Sequence, residues 1–291
     1  MSQHEILSSY QLHTGVVSVS QQEVGEIVVP SLSLLDWFVF RPVRYPIGDW
    51  EPEGLAFDDW YFSTQDGTTL HGWWCPLSEE APTVFYFHGN RSHLASRAWI
   101  VKRLQKQLGW NIFIFDYRGY GRSSGTPRIK HLLSDAEDAF DYLCKQRGLK
   151  HKEVIVVGRS LGGAVAAHVA VNQGAKALIV ECTFSSLLEA ASVSWPRWLV
   201  RPLVGDKLNT ASIIHKFEGP LIIAHGEQDN LIPFEQGEKL LEKSIEPKYF
   251  FPFPELGHRD HPPDWFWEEV GRLLGSDSLS QPIGQRKTDC A

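Results

Sequence analysis

Val154-Ile155-Val156-Val157-Gly158-Arg159-Ser160-Leu161-Gly162-Gly163 is the stretch that decides how this chain folds. A run of β-branched residues enters a Gly-x-Ser-x-Gly turn and leaves into the helix-favouring Ala164 to Ala170. The order is strand, sharp turn, helix. A serine on so tight a turn takes a strained backbone conformation, and side chains at the flanking positions would strike the neighbouring strand and helix. Gly158 and Gly162 remove those collisions. Ser160 is then lifted to the top of a sheet, and the Leu161 amide, at the helix N-terminus, faces the space where an oxyanion would form.

Outward from this turn, strand-like and helix-like segments alternate. The strands are expected at 83–87, 112–115, 154–157, 177–180, 221–224 and 248–251, and the helices at 94–108, 132–145, 161–172, 236–244 and 265–274. A hairpin precedes them, with runs at 56–62 and 68–74 about Gln65-Asp66-Gly67. Such alternation predicts an α/β fold with a mainly parallel central sheet covered by helices on both faces, and its sites at the carboxyl ends of the strands. The connection from Val180 to Leu221 is longer than the rest, and its part from 183 to 215 is expected to form a short lid. Trp195 and Trp198 there either line an apolar entrance or pack the lid onto the body. Residues 1–25 read as a flexible arm, 26–275 as the domain and 276–291 as a disordered tail.

Serine chemistry needs a histidine to take the proton and a carboxylate to orient that histidine. On such a sheet the partners follow the serine in the order acid, then histidine. Asp229, in the loop after strand 221–224, is the first choice for the acid, and Glu181, directly after strand 177–180, is the second. His258 follows Gly257 in the loop after the final strand and is the expected base, with His261 as fallback. His88-Gly89-Asn90 ends strand 83–87, so the Asn90 amide is the expected second oxyanion donor beside Leu161. His88 itself is expected to hydrogen-bond within its turn. Asp116-Tyr117-Arg118-Gly119-Tyr120-Gly121 lacks the spacing of a phosphate-binding loop and reads as structural, with Asp116 and Arg118 in internal polar contacts.

Composition narrows the remaining classes. The net charge of −7 arises from 28 basic and 35 acidic residues with no basic tract, which argues against nucleic acid as a partner. Cys75, Cys144, Cys182 and Cys290 show no paired spacing, which suits reduced thiols and a cytoplasmic location. His258, Asp260 and His261 lack a further ligand at metal-binding spacing, so no metal and no organic cofactor are expected. The start of the chain lacks the design of a signal peptide. Ile27 to Phe40, read as a strand and then an aromatic segment, is too short to span a bilayer but leaves a weak peripheral membrane contact open through Trp37, Phe38 and Phe40.

Together, His88-Gly89-Asn90, the Asp116 to Gly121 loop, Gly158 to Gly163, the Gly226 to Pro233 loop and Gly257-His258 resemble the α/β-hydrolase superfamily. Within it the chain is similar to the small-lidded serine hydrolases, α/β-hydrolase-domain proteins related to depalmitoylases. The resemblance runs from about Phe57 to Leu274. It implies Ser160 as nucleophile, Asp229 as acid, His258 as base, and the amides of Leu161 and Asn90 as the oxyanion hole of an esterase or thioesterase acting on a hydrophobic acyl group. Arg259 follows His258 where many members carry Asn, and the apolar N-terminal span of several members has no counterpart. A non-catalytic binding protein on the same fold and a serine peptidase are the rival expectations.

Overall fold

The computed structural model describes residues 34–275. Its central sheet has eight strands. They are β1 (Asp58–Ser63), β2 (Thr69–Cys75), β3 (Thr83–Phe87), β4 (Asn111–Asp116), β5 (Ile155–Arg159), β6 (Ala177–Glu181), β7 (Leu221–Gly226) and β8 (Lys248–Phe253). The order across the sheet is β8-β7-β6-β5-β3-β4-β2-β1. β1 pairs antiparallel with β2, and β2 with β4; every other pairing is parallel.

The central strands are buried on both faces, so they read as continuous apolar runs, and their period of two sorts residues between two cores. Phe85, Phe87, Phe113, Phe115 and Val156 enter one core, whereas Val84, Tyr86, Ile112, Ile114, Ile155 and Val157 enter the other. Helices α3 (Ile129–Arg147) and α4 (Leu161–Gln173) supply Phe140, Leu143, Val165 and Val169 to the first core. Helices α2 (Ala98–Leu108) and α7 (Asp264–Leu273) supply Val101, Leu104, Phe266 and Trp267 to the second. Chain order reverses between β5 and β3, which opens a crevice at their carboxyl ends.

Three expectations shift. Leu34–Val39 is a helix, α1, where a strand followed by an aromatic segment was expected. Leu35 and Val39, about one helical turn apart, both pack on the first core. Phe40 is buried edge-on against Tyr120 and unavailable to a bilayer, while the side chains of Trp37 and Phe38 lie outside the described residues. The 94–108 segment opens as a 3₁₀ turn, Leu94–Arg97, before α2 begins. The expected arm at 1–25, residues 26–33, the tail at 276–291 and Cys290 lie outside the described residues. Among the described residues, no helix is long and apolar enough to cross a membrane.

Between β6 and β7 lie α5 (Leu187–Ser192) and α6 (Arg197–Val204), followed by two 3₁₀ turns. The Ser186 hydroxyl caps α5 by accepting the Glu189 amide at 3.2 Å. Leu187, Leu188, Ala191, Val200 and Val204 tie the pair of helices to the core. Trp195 and Trp198 do not: they are 50% and 76% exposed, so they do not pack this segment onto the body.

Candidate active site

Ser160 joins β5 to α4 with φ 54° and ψ −122°, a region that L-residues rarely adopt. Its neighbours hold it there. The Ser160 amide donates to the Glu181 carbonyl at 2.9 Å, and the Thr183 hydroxyl donates to the Ser160 carbonyl at 2.7 Å. A Cβ on Gly158 would collide with the Gly162 carbonyl, and one on Gly162 with the carbonyls of Phe87 and His88. The turn is therefore possible only with glycine at both positions.

The imidazole of His258 bridges the serine and an acid. Its Nε2 stands 3.2 Å from Ser160 Oγ, and its Nδ1 stands 2.8 Å from Asp229 Oδ2. The other Asp229 oxygen accepts the amides of Leu231 at 2.9 Å and Ile232 at 2.8 Å. Burial pushes the Asp229 carboxyl up, but hydrogen bonds from His225 and His258 and the Ile232 amide outweigh it and hold it well below the usual carboxylate range. Buried His225, whose Nε2 donates to the Ile232 carbonyl at 2.8 Å, braces the same loop.

Asn90 and Leu161 line one cavity of about 220 Å³ with Ser160. The Asn90 loop passes close, since a Cβ on Gly89 would stand 3.6 Å from that of Ser160. The Asn90 carbonyl accepts the Tyr120 hydroxyl at 2.7 Å, and its side-chain amide donates to the Val39 carbonyl at 2.9 Å. Among the described residues the backbone amides of Asn90 and Leu161 donate to no protein acceptor.

The two fallback residues are engaged elsewhere. Glu181, fully buried, accepts Arg159 Nη1 at 3.1 Å, and burial pushes its carboxyl up against the pull of that guanidinium. The His261 ring lies edge-on to Trp99 at 4.4 Å, and burial, with the charges of Arg159, Arg97 and Arg103, lowers its pKa to about 3. No group of His, Cys, Asp or Glu suited to a metal ion occurs among the described residues. Cys75, Cys144 and Cys182 are free and buried.

Arg159 was not singled out by the sequence reading. The residue between Gly158 and Ser160 turns its side chain down among buried groups, and its Nη2 donates to the carbonyls of His258 and of Asp260, the latter at 2.7 Å. It thus fastens the histidine loop to the strand that carries the serine. The available signal was an arginine at the end of one buried strand facing a glutamate at the end of the next, in the register Arg159 to Glu181.

His88 donates within its own turn, from Nδ1 to the Gly89 carbonyl at 2.7 Å. Burial lowers its pKa to about 4. Between that value and the ordinary 6.5 the unfolded chain binds the proton that the folded chain refuses, so stability rises with pH through this window and is lost on acidification. From pH 7 to pH 5, His88 is expected to remove about 2 kcal/mol of unfolding free energy. Urea unfolding at both values checks this: the native midpoint should fall, and His88→Gln should reduce the fall.

A family model described as serine aminopeptidase, S33, matches residues 78–213. An uncharacterised protein of Mycobacterium tuberculosis is 33% identical over 224 residues, covering 76% of this chain and 79% of its own length. The α/β hydrolase domain-containing protein WAV2 of Arabidopsis thaliana is 33% identical over 236 residues, covering 72% of this chain and 76% of its own. Among solved structures, an esterase of Pyrococcus furiosus superposes with a TM-score of 0.65 at 21% identity, covering 81% of this chain and 97% of that one, a likeness of fold. With its strand order, its serine turn and relatives at this level of identity, the chain belongs to the α/β-hydrolase superfamily.

Proposed function

We propose that the chain is a serine hydrolase that cleaves carboxylic esters or thioesters through an acyl-enzyme. Ser160 is the nucleophile, His258 the base, Asp229 the acid that orients it, and the amides of Leu161 and Asn90 the oxyanion hole. The observation that carries this reading is the unbroken relay from Asp229 Oδ2 through His258 to Ser160 Oγ.

In the first half-reaction Ser160 Oγ bonds to the acyl carbon as its proton passes to His258 Nε2. The carbonyl oxygen takes the negative charge opposite the two amides. Collapse breaks the bond to the leaving oxygen or sulfur, which takes the proton from His258. Water then repeats the sequence: its proton goes to His258, its oxygen bonds to the acyl carbon, and Ser160 leaves with that proton. No external oxidant or reductant enters. Phe184, Leu187 and Ile232 give the cavity an apolar wall, and at about 220 Å³ it suits a small acyl group.

The family model's name raises the aminopeptidase alternative. An aminopeptidase needs an acidic partner for the substrate's ammonium group, whereas among the described residues the charged ones lining this cavity are Arg41 and Arg91. Esters are therefore expected to exceed matched amides in kcat/KM. The reading is tested with Asp229→Asn, which should cut kcat on 4-nitrophenyl butyrate by about ten-thousandfold, as the imidazole loses its orienting charge. A loss below tenfold would contradict it.

A further inference from the structure

The loop after β4, Asp116-Tyr117-Arg118-Gly119-Tyr120-Gly121, reads from sequence as structural, yet two of its side chains reach the turn that follows β3. Tyr117 and Tyr120 are buried, and each hydroxyl donates to a carbonyl of that turn, Tyr117 to His88 at 2.8 Å and Tyr120 to Asn90 at 2.7 Å. The carbonyl between them, that of Gly89, accepts His88 Nδ1 at 2.7 Å. Three successive carbonyls are thus each held by a buried aromatic side chain.

The middle carbonyl belongs to the same peptide group as the Asn90 amide. A trans peptide is planar, with its carbonyl and its N–H pointing in opposite directions, so holding one aims the other. Tyr117 holds the peptide before it and Tyr120 the peptide after it. The rings are locked to one another: His88 lies 4.4 Å from Tyr117 and 5.6 Å from Tyr120, and the two tyrosines meet edge-on at 5.8 Å. Burial pushes both phenols up, so each keeps the proton it donates. Their loop is itself tied down. The Tyr120 amide donates to the Tyr117 carbonyl at 2.8 Å, the Gly121 amide to the Val43 carbonyl at 2.9 Å, and the Ser123 hydroxyl to the Asp116 carbonyl at 2.6 Å.

We infer that Tyr117 and Tyr120 are positioning residues for the hydrolysis: they bracket the peptide between Gly89 and Asn90 and keep the Asn90 amide aimed at the oxygen that becomes the oxyanion. This role deepens the ester-hydrolase reading and rests on it. Stabilisation of an oxyanion depends on donors already in place before the charge develops. Loss of either hydroxyl therefore slows the chemical step and leaves substrate binding alone.

Tyr117→Phe and Tyr120→Phe keep the rings and test this on the full chain, with 4-nitrophenyl butyrate as substrate and butyl trifluoromethyl ketone as inhibitor. The adduct of that ketone with a serine carries an oxyanion. Each variant is expected to lose about tenfold in kcat with KM near native, and to weaken ketone inhibition by a similar factor. The acid limb of kcat against pH should keep its native midpoint, since neither hydroxyl touches Asp229, His258 or Ser160. In Tyr120→Phe the Asn90 carbonyl still accepts the Arg41 amide, at 3.0 Å, so this variant carries the test if Tyr117→Phe does not fold. A merely structural role would lower the melting temperature and leave kcat and ketone inhibition native. That outcome, a change confined to KM, a shifted acid limb, or a fall in kcat that ketone inhibition does not follow overturns the inference while leaving ester hydrolysis intact. A folded native chain that neither hydrolyses the ester nor reacts with a fluorophosphonate removes the reading beneath it, and the inference with it.

Discussion

Ser160→Ala is expected to reduce ester turnover by about a millionfold, the scale seen when an acyl-transferring serine is removed from a site whose other parts remain. The size follows from the relay: without Oγ no acyl-enzyme forms, and His258, 3.2 Å from where Oγ stood, has no hydroxyl to deprotonate. The fold should survive, because the amide and carbonyl of Ser160, not its hydroxyl, bond Glu181, Thr183 and Gly163. Ser160→Gly sharpens the point. At φ 54° and ψ −122° a Cβ costs on the order of 1–3 kcal/mol, so glycine should raise the melting temperature while abolishing turnover. Turnover that survived either variant would place the nucleophile elsewhere.

Arg159→Met is expected to cost about 3–5 kcal/mol of stability, because it leaves Glu181 buried without its partner and strips the donor from two loop carbonyls. For a domain of this size that is roughly 10 °C in melting temperature. Turnover should fall as well, by about a hundredfold in kcat with little change in KM, since a histidine displaced by an ångström loses its line to the serine. Adding Glu181→Gln removes the orphaned charge and should recover much of the stability but not the rate, because the His258 loop stays unfastened. Arg159→Lys keeps the charge without the fork that spans Glu181 and two carbonyls, so it should rescue stability more than kcat. Thermal melts and kcat on one ester read all three. A stable Arg159→Met chain with native kcat would show that the histidine loop needs no such fastening.

Much of this architecture was legible because local chemistry dictated it. The run 154–157 could only be a buried strand, and the glycines at 158 and 162 belong to a turn that forbids Cβ atoms at both places. Asp229 and His258 were expected from their places after strand ends, and the structure sets Asp229 beside His258 and His258 beside Ser160. Position alone left Glu181 in competition with Asp229. What separates them is a pairing across strands: Glu181 is bound to Arg159, a contact set by the register of β5 and β6. Arg159 escaped notice for the same reason, because its partners lie 22, 99 and 101 residues away. The helix at Leu34–Val39 escaped too, since six apolar-rich residues are too few for periodicity to separate strand from helix.

Activation of Ser160 as a nucleophile is read from the intact mass of the folded chain after exposure to a fluorophosphonate. A single adduct is expected on the native chain, mapped to Ser160, and none on Ser160→Ala at the same probe concentration. A folded native chain that gains no adduct, or one that gains it at another residue, would contradict the assignment of Ser160 as nucleophile.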